Sequence, residues 1–307
     1  MKIVFMGTPE FAVPSLKILN DNKYAIVSVV TAPDKPSGRG LHNTISPIKN
    51  FALKNHLPIL QPDNLKNPSF IQNLKSLNAE LFVVVAFRIL PPDVFRIPSL
   101  GTFNLHASLL PKYRGAAPIN WAIICGEKET GVTTFFLQET VDTGGIILQA
   151  RLPIGPDETA GELHDRLSEI GAEIVLHTLR LIESGKASSQ TQNDSLSSKA
   201  PKIFKENCRI DWRKSALEIH NFIRGLSPHP GAFVIHTGTL LKIYRSKILL
   251  ESYYGETGDI LKADNTLIVK TGNGVLEIIE IQQEGKKKMS VQEFLRGYRF
   301  SKGDNLS

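Results

Sequence analysis

From Lys2 to Gly185 the chain alternates short apolar runs with stretches of helical periodicity, and this alternation narrows the fold more than any other feature. Lys2–Met6, Ala25–Thr31 and Leu81–Ala86 are short, mostly apolar runs of the kind buried on both sheet faces. Thr102–Leu105, Val132–Leu137 and Ile146–Gln149 follow as further strands. Between them, Phe11, Leu16, Ile18 and Leu19 mark a helix after the Gly7-Thr8-Pro9-Glu10 turn, and Ile48–Lys54 and Phe70–Leu77 mark two more. Thr159–Glu183 is a long amphipathic helix opened by a threonine and closed by Gly185. Such alternation predicts a mostly parallel α/β sheet with helices on both faces. Ligands on these sheets bind beyond the carboxyl ends of the strands.

The pattern changes beyond a polar stretch, 186–202, whose Ser, Gln, Asn, Asp and Lys content reads as an exposed linker. Ala216–Arg224 is helical. Short strands follow at Ala232–His236, Leu240–Ser246, Ile248–Leu250, Thr266–Val269 and Val275–Gln282, separated by glycine turns. Several short strands in so little chain suggest a small OB-like β-barrel. The expected organisation is a catalytic domain at 1–189, a linker at 190–204 and a second domain at 205–307.

Length and charge agree with two domains. The chain has 307 residues, 41% hydrophobic and 21% charged, a formal net charge of +6 and a pI near 9.2. Residues 205–307 hold 16 Lys+Arg against 12 Asp+Glu, so the smaller domain is the more basic, which suits a polyanionic partner. Cys125 and Cys208 are too few and too far apart for a disulfide framework, and no His/Cys/Asp grouping has zinc spacing, so no metal is expected. Gly7-Thr8-Pro9 lacks both the dinucleotide and the Walker spacing and reads as a strand-to-helix turn. No apolar run approaches the roughly 20 residues that span a bilayer, and the opening Met1–Gly7 run is too short for a secretory signal. A soluble, cytoplasmic, reduced protein without a membrane partner is expected.

The chemistry is concentrated in residues 103–111. Asn104 and His106 lie two apart in a strand-like segment and so project from one face at its carboxyl end. Asp142 follows another apolar strand in a Val141-Asp142-Thr143-Gly144-Gly145 turn. An amide can hold a developing oxyanion, an imidazole can move a proton, and a carboxylate can set the imidazole's tautomer and pKa. The trio suits reaction at a carbonyl carbon. Taken singly, each of these pieces is more often a satisfied turn, and local pattern does not by itself join Asp142 to His106.

Two basic features remain. Asp34–Pro47 is a long Pro- and Gly-rich loop leaving a strand on the ligand face, and it carries Lys35 and Arg39. Lys286, Lys287 and Lys288 form a run in the second domain, a solvated surface or a contact for a phosphate backbone. Trp212 reads as an anchor at a domain interface.

With these residues in view, the chain resembles the methionyl-tRNA formyltransferase family nearly end to end. The resemblance is carried by residues 5–12, 34–40, 104–111, 113–119, 129–133 and 141–145, and in the second domain by 209–212 and 285–290. The Asn104-Leu105-His106-Ala107-Ser108-Leu109-Leu110-Pro111 element is shared across enzymes using 10-formyltetrahydrofolate. The Arg114-Gly115-Ala116-Ala117-Pro118 element and the Arg39 loop narrow the choice to the tRNA enzyme.

The resemblance implies formyl transfer from 10-formyltetrahydrofolate to the amino group of initiator methionyl-tRNA, by a monomer with no obligate protein partner. It implies a formyltransferase-type Rossmann-like N-terminal domain and an OB-like tRNA-binding barrel. It makes Asn104, His106 and Asp142 the catalytic trio. Ser108, Leu109, Leu110 and Pro111 become a folate-binding turn, and Phe87, Ile89 and Leu90 further folate contacts. Lys35, Arg39, Lys286, Lys287 and Lys288 become tRNA contacts. Two departures stand out: Leu41 and His42 replace the family's usual lysine pair, and Ala86-Phe87-Arg88-Ile89-Leu90 replaces a shorter Ala-Tyr-Gly form. The rival readings are a formyltransferase for another amine, such as an aminosugar nucleotide or glycinamide ribonucleotide, a formyl-folate hydrolase, and a non-catalytic RNA-binding module.

Overall fold

The computed structural model describes residues 1–37, 42–251, 254–301 and 303–306. Its described elements run β1 (Lys2–Gly7), α1 (Val13–Asp21), β2 (Ala25–Val30), β3 (Lys35–Ser37), β4 (His42–Thr44), α2 (Pro47–Lys54), β5 (Ile59–Leu60) and α3 (Pro68–Ser76). Next come β6 (Leu81–Val85), α4 (Pro92–Phe95), β7 (Thr102–His106), β8 (Arg114–Gly115), α5 (Pro118–Ile124), β9 (Glu129–Phe136), β10 (Ile146–Pro153), α6 (Ala160–Glu183) and β11 (Lys199–Ala200). The last part holds α7 (Ala216–Leu226), β12 (Ala232–His236), β13 (Thr239–Leu249), β14 (Ile260–Ala263), β15 (Leu267–Lys270), β16 (Val275–Gln283), β17 (Met289–Ser290) and α8 (Val291–Gly297).

The α/β expectation holds. Seven strands form one sheet in the order β10-β9-β7-β6-β1-β2-β5. The pairs β5–β2, β2–β1, β1–β6 and β6–β7 are parallel, and β9 joins β7 antiparallel. Ile3, Val4, Phe5 and Met6 of the central strand are all fully buried, as a parallel strand covered on both faces requires. Val4, Met6, Phe82 and Val84 form a core cluster with Phe70, Leu74 and Val94. α6 lies close against β7: an alanine Cβ at Gly171 would stand 2.7 Å from Leu105 Cδ2. Filling that contact would cost about 1–3 kcal/mol by overpacking and would push on the strand that carries Asn104 and His106.

The second sheet is antiparallel, in the order β12-β13-β16-β15-β14 with β17 on β16. It encloses its own core of Trp212, Ile223, Val234, Leu241, Ile243, Leu267, Leu276 and Ile278. Trp212 is thus a core residue of this unit, 1% exposed, with its indole N–H donating to the Leu306 carbonyl at 3.0 Å. The two runs read as separate strands, 240–246 and 248–250, are one strand, β13. Register shifts around Arg245 let it bend without breaking. β14 and α8 are additional. The start of α8 is a Ser290/Glu293 capping box, a pattern visible in the sequence.

The chain clusters into two compact units. One comprises Met1–Gly115, Gly131–Leu152 and His164–Lys199, the other Ala116–Thr130, Pro153–Leu163 and Ala200–Ser307. α5 therefore belongs with α7: Asn120 Nδ2 donates to the Gly225 carbonyl at 2.7 Å. The 153–163 segment is held by Arg224, 3% exposed, which donates to the carbonyls of Gly155 at 3.1 Å and Glu158 at 3.0 Å. Residues 186–202 are mostly exposed, but Gln192, inside the stretch read as an exposed linker, is buried at 8%. No helix among the described residues is long and apolar enough to cross a membrane.

Candidate active site

Asn104 and His106 sit on one face at the carboxyl end of β7. Asn104 is in register with Val84 and Phe135, and His106 with Thr133. The Asn104 side chain is half-buried and makes no hydrogen bond among the described residues, so its amide is free to donate. His106 is 7% exposed. Its Nε2 lies 2.9 Å from the carbonyl oxygen of Tyr113, which can only accept, so the neutral ring carries its proton on Nε2. The lone pair is then on Nδ1, 3.9 Å from Asp142 Oδ2. That separation is beyond a hydrogen bond but within the reach of a charge contact. A proton gained at Nδ1 makes an imidazolium facing a carboxylate. From sequence, a carboxylate is the group that can set this tautomer. The structure assigns it to a backbone carbonyl, presented by Tyr113 at φ +61°.

Asp142 follows β9 in a turn and has φ +58°, a conformation that Asp tolerates better than most residues. Its Oδ2 accepts from the Gly115 N–H at 2.9 Å, and its side chain is 12% exposed. Gln192 Nε2 donates to the Asp142 carbonyl at 2.9 Å and to the Gly144 carbonyl at 2.8 Å. Gly144 is required by close approach, because a Cβ there would fall 1.6 Å from the Phe136 oxygen.

The Ser108–Pro111 turn is built on Thr133. The Thr133 hydroxyl donates to the Ser108 carbonyl at 2.6 Å and accepts from the Leu110 N–H at 3.1 Å and Gln149 Nε2 at 2.9 Å, which uses its whole capacity. Gln149 Nε2 also reaches the Leu110 carbonyl at 2.9 Å. Ser108 is fully buried, and its hydroxyl donates to the Lys112 carbonyl at 2.6 Å. Ser108 therefore shapes the turn from within. Leu110 is buried, Leu109 and Pro111 are half-buried, and the Leu110–Pro111 bond is cis.

The segment after β6 starts at Ala86, φ +48°. Leu90 is buried in the core cluster with Phe82 and Val84, Phe87 is half-buried against that cluster, and Ile89 is 76% exposed. Arg88 turns back onto the protein, donating to the carbonyls of Pro62 at 2.7 Å and Asp63 at 3.0 Å, with its guanidinium 5.3 Å from the Phe87 ring centre.

Of the basic residues, Lys35 lies in β3, paired with Thr44 of β4, and Arg39 falls outside the described residues. The stem of that loop is anchored by Asp34, which accepts from Lys49 Nζ at 2.5 Å and from Gln61 Nε2 at 2.9 Å. These two hydrogen bonds hold its carboxyl below the usual range. In the other unit, Lys286 and Lys287 are exposed. Lys288 is engaged by Glu280 at 2.9 Å and lies 5.6 Å from the Tyr244 ring centre. Among the described residues no group of three or more His, Cys, Asp or Glu is placed to hold a metal ion.

Sequence reasoning missed Tyr113, Thr133, Gln149 and Gln192. Tyr113 acts through a backbone atom and the other three through polar side chains remote in sequence from their partners. Thr133 carried no distinguishing signal, since Thr130 and Thr134 of the same strand are buried threonines too.

An amide and an imidazole on one face of a strand end, with a carboxylate 3.9 Å from the imidazole, have the chemistry that reaction at a carbonyl group uses, without a nucleophilic Ser or Cys among them. Residues 1–179 match the formyl transferase family, and residues 202–299 match the formyl transferase C-terminal domain. The methionyl-tRNA formyltransferase of Flavobacterium johnsoniae is 50% identical over 98% of this chain and 97% of its own. That of Caldanaerobacter subterraneus subsp. tengcongensis is 48% identical over the full length of both. Among solved structures, WlaRD, a sugar 3N-formyl transferase solved with dTDP and 5-N-formyl-THF, superposes with a TM-score of 0.67 at 26% identity, covering 94% of this chain and 99% of that one. The chain belongs to the formyl transferase family, and within it to the methionyl-tRNA formyltransferases.

Proposed function

We propose that this enzyme transfers the formyl group of 10-formyltetrahydrofolate to the amino group of initiator methionyl-tRNA. The observation that carries the chemistry is Asn104, whose amide is unengaged among the described residues, on the same strand face as a buried His106 whose Nδ1 looks toward Asp142. Full-length relatedness to methionyl-tRNA formyltransferases supports the choice of acceptor.

The methionyl nitrogen attacks the formyl carbon, and the carbonyl electron pair moves onto oxygen. Asn104 donates to that oxyanion. His106 accepts the proton released by the amine at Nδ1, directly or through water, and Asp142 stabilises the resulting imidazolium. The bond from the formyl carbon to the folate nitrogen then breaks. His106 returns the proton to the leaving nitrogen, giving tetrahydrofolate and formylmethionyl-tRNA. Tyr113 holds the imidazole so that Nδ1 is the basic atom.

Leu109, Leu110 and Pro111 line the folate site on a turn that Ser108 and Thr133 hold, with Phe87 and Ile89 from the next strand end. Leu90 supports that segment from the core. Lys35 and Arg39 meet the acceptor end of the tRNA, and Lys286 and Lys287 its backbone, with Lys288 beside them. Catalysis belongs to residues 1–189, framed by Gln192 of the 190–204 segment that follows, and tRNA binding belongs to 205–307. The enzyme works as a cytoplasmic monomer. Incubation with formyl-labelled donor and methionyl-tRNA, an aminosugar nucleotide or glycinamide ribonucleotide tests the proposal. Label should appear on methionyl-tRNA. Label on another amine, or released as formate alone, would refute it.

A further inference from the structure

We infer that Gln192 is a positioning residue for the reaction and acts through Asp142. It lies 50 residues beyond Asp142, after α6, in a segment otherwise largely exposed, yet it is itself buried. Its carboxamide is fully engaged. Nε2 donates to the Asp142 carbonyl at 2.9 Å and the Gly144 carbonyl at 2.8 Å. Oε1 accepts from Arg114 Nε at 3.1 Å and from its terminal nitrogen at 2.7 Å. The carbonyls can only accept and the guanidinium can only donate, so just one orientation of the amide satisfies all four contacts. Glutamate could keep the Arg114 contact but has no donor for the two carbonyls. Leucine could supply neither.

The anchored turn needs such a clamp. Asp142 is held at φ +58°, a conformation that persists in a non-glycine residue only where the surroundings impose it. Asp142's carboxylate is steered by the hydrogen bond from the Gly115 N–H, the residue next to Arg114. Gln192 therefore ties both sides of the arrangement together. It fixes the backbone that carries the carboxylate, and through Arg114 it fixes the strand whose N–H orients that carboxylate. Arg114 is braced in turn by Asp194 at 2.7 Å. The distance that matters is the 3.9 Å from Asp142 Oδ2 to His106 Nδ1. A shift of about 1 Å at a catalytic group can cost on the order of 10²-fold in rate.

This inference rests on the reading of Asp142 as a catalytic group, and the experiment separates the two. kcat and KM for formyl transfer to methionyl-tRNA would be measured for Gln192→Glu, Gln192→Leu, Asp142→Asn and the Gln192→Leu/Asp142→Asn double variant, with thermal unfolding alongside. The two Gln192 variants should lose roughly 10- to 10²-fold in kcat. KM for donor and tRNA should stay within about twofold, since binding is untouched. In the Asp142→Asn background the Gln192→Leu change should cost little more, because its effect passes through a carboxylate already gone. A wild-type kcat in both Gln192 variants, or losses that simply multiply in the double variant, would overturn the role of Gln192. A wild-type kcat in Asp142→Asn would instead overturn the role of Asp142. Should Gln192→Leu fail to fold, Gln192→Glu with Asp142→Asn supplies the same cycle.

Discussion

Replacing Asn104 by alanine should separate catalysis from stability. The Asn104 carboxamide makes no hydrogen bond among the described residues, and the backbone pairings of Asn104 with Val84 and Phe135 do not involve the side chain. Among the described residues, truncation thus breaks no side-chain hydrogen bond and leaves no partner of that side chain unsatisfied. The stability loss should stay below about 1 kcal/mol, a change of no more than ~2–4 °C in Tm. The rate is another matter. An oxyanion donor that is unengaged beforehand acts only as charge develops, and losing one typically costs about 10²–10³ in kcat, or ~2.7–4 kcal/mol. Formyl transfer to methionyl-tRNA at saturating donor and acceptor, followed with a labelled formyl group, reads the first quantity, and calorimetry reads the second. Asn104→Asp sharpens the test. It is nearly isosteric but carries an acceptor-only carboxylate, which repels the oxyanion, so it should lose at least as much activity as alanine. Turnover within about threefold of wild type for either variant, with Tm preserved, would remove Asn104 from the mechanism.

Three further outcomes are expected. His106→Ala and Asp142→Ala should each lower kcat steeply, and the double variant should lose far less than the product of the two, since the imidazolium and carboxylate act as a unit; steady-state rates showing full additivity would disprove the coupling. His220 of α7 is drawn below its ordinary pKa by burial, against opposing contacts from the Pro156 carbonyl and Asp157, so the unfolded chain takes up a proton that the folded one refuses. Stability should therefore fall as pH drops below about 6.5, and His220→Gln should flatten the urea midpoint over that range; an unchanged slope would refute the assignment. Arg39→Ala should weaken transfer to methionyl-tRNA by about 1.5–3 kcal/mol and leave folate affinity alone, because Arg39 is the lone arginine of the 34–47 loop, with Leu41 and His42 beyond it. Its salt slope for tRNA binding should fall by only ~0.7–0.9, one phosphate contact. Wild-type transfer in this variant would leave recognition to the basic second domain.

The parts of this protein that were legible in the sequence are those that repeat with a period. The fully buried run Ile3–Met6 announces a central parallel strand, and the spacing of Asn104 and His106 places both at the strand end where ligands bind. The parts that orient these groups have no period. His106 is held by the carbonyl of Tyr113, an atom every residue possesses, presented by a backbone at φ +61° that nothing in the neighbouring sequence announces. The Asp142 carboxylate is steered by the N–H of Gly115, and its turn by Gln192, 50 residues away. Gln192 shows the physical reason most clearly. Its neighbours are polar and exposed, so an average over the segment assigns it to solvent. It is buried because two carbonyls and a guanidinium converge on one amide with donors and acceptors in the right count. Burial of that kind follows from hydrogen-bond supply, which depends on residues brought near only by the completed fold. A hydropathy average carries no such information, so polar groups spaced along one strand end are easier to read from sequence than the frame that aims them.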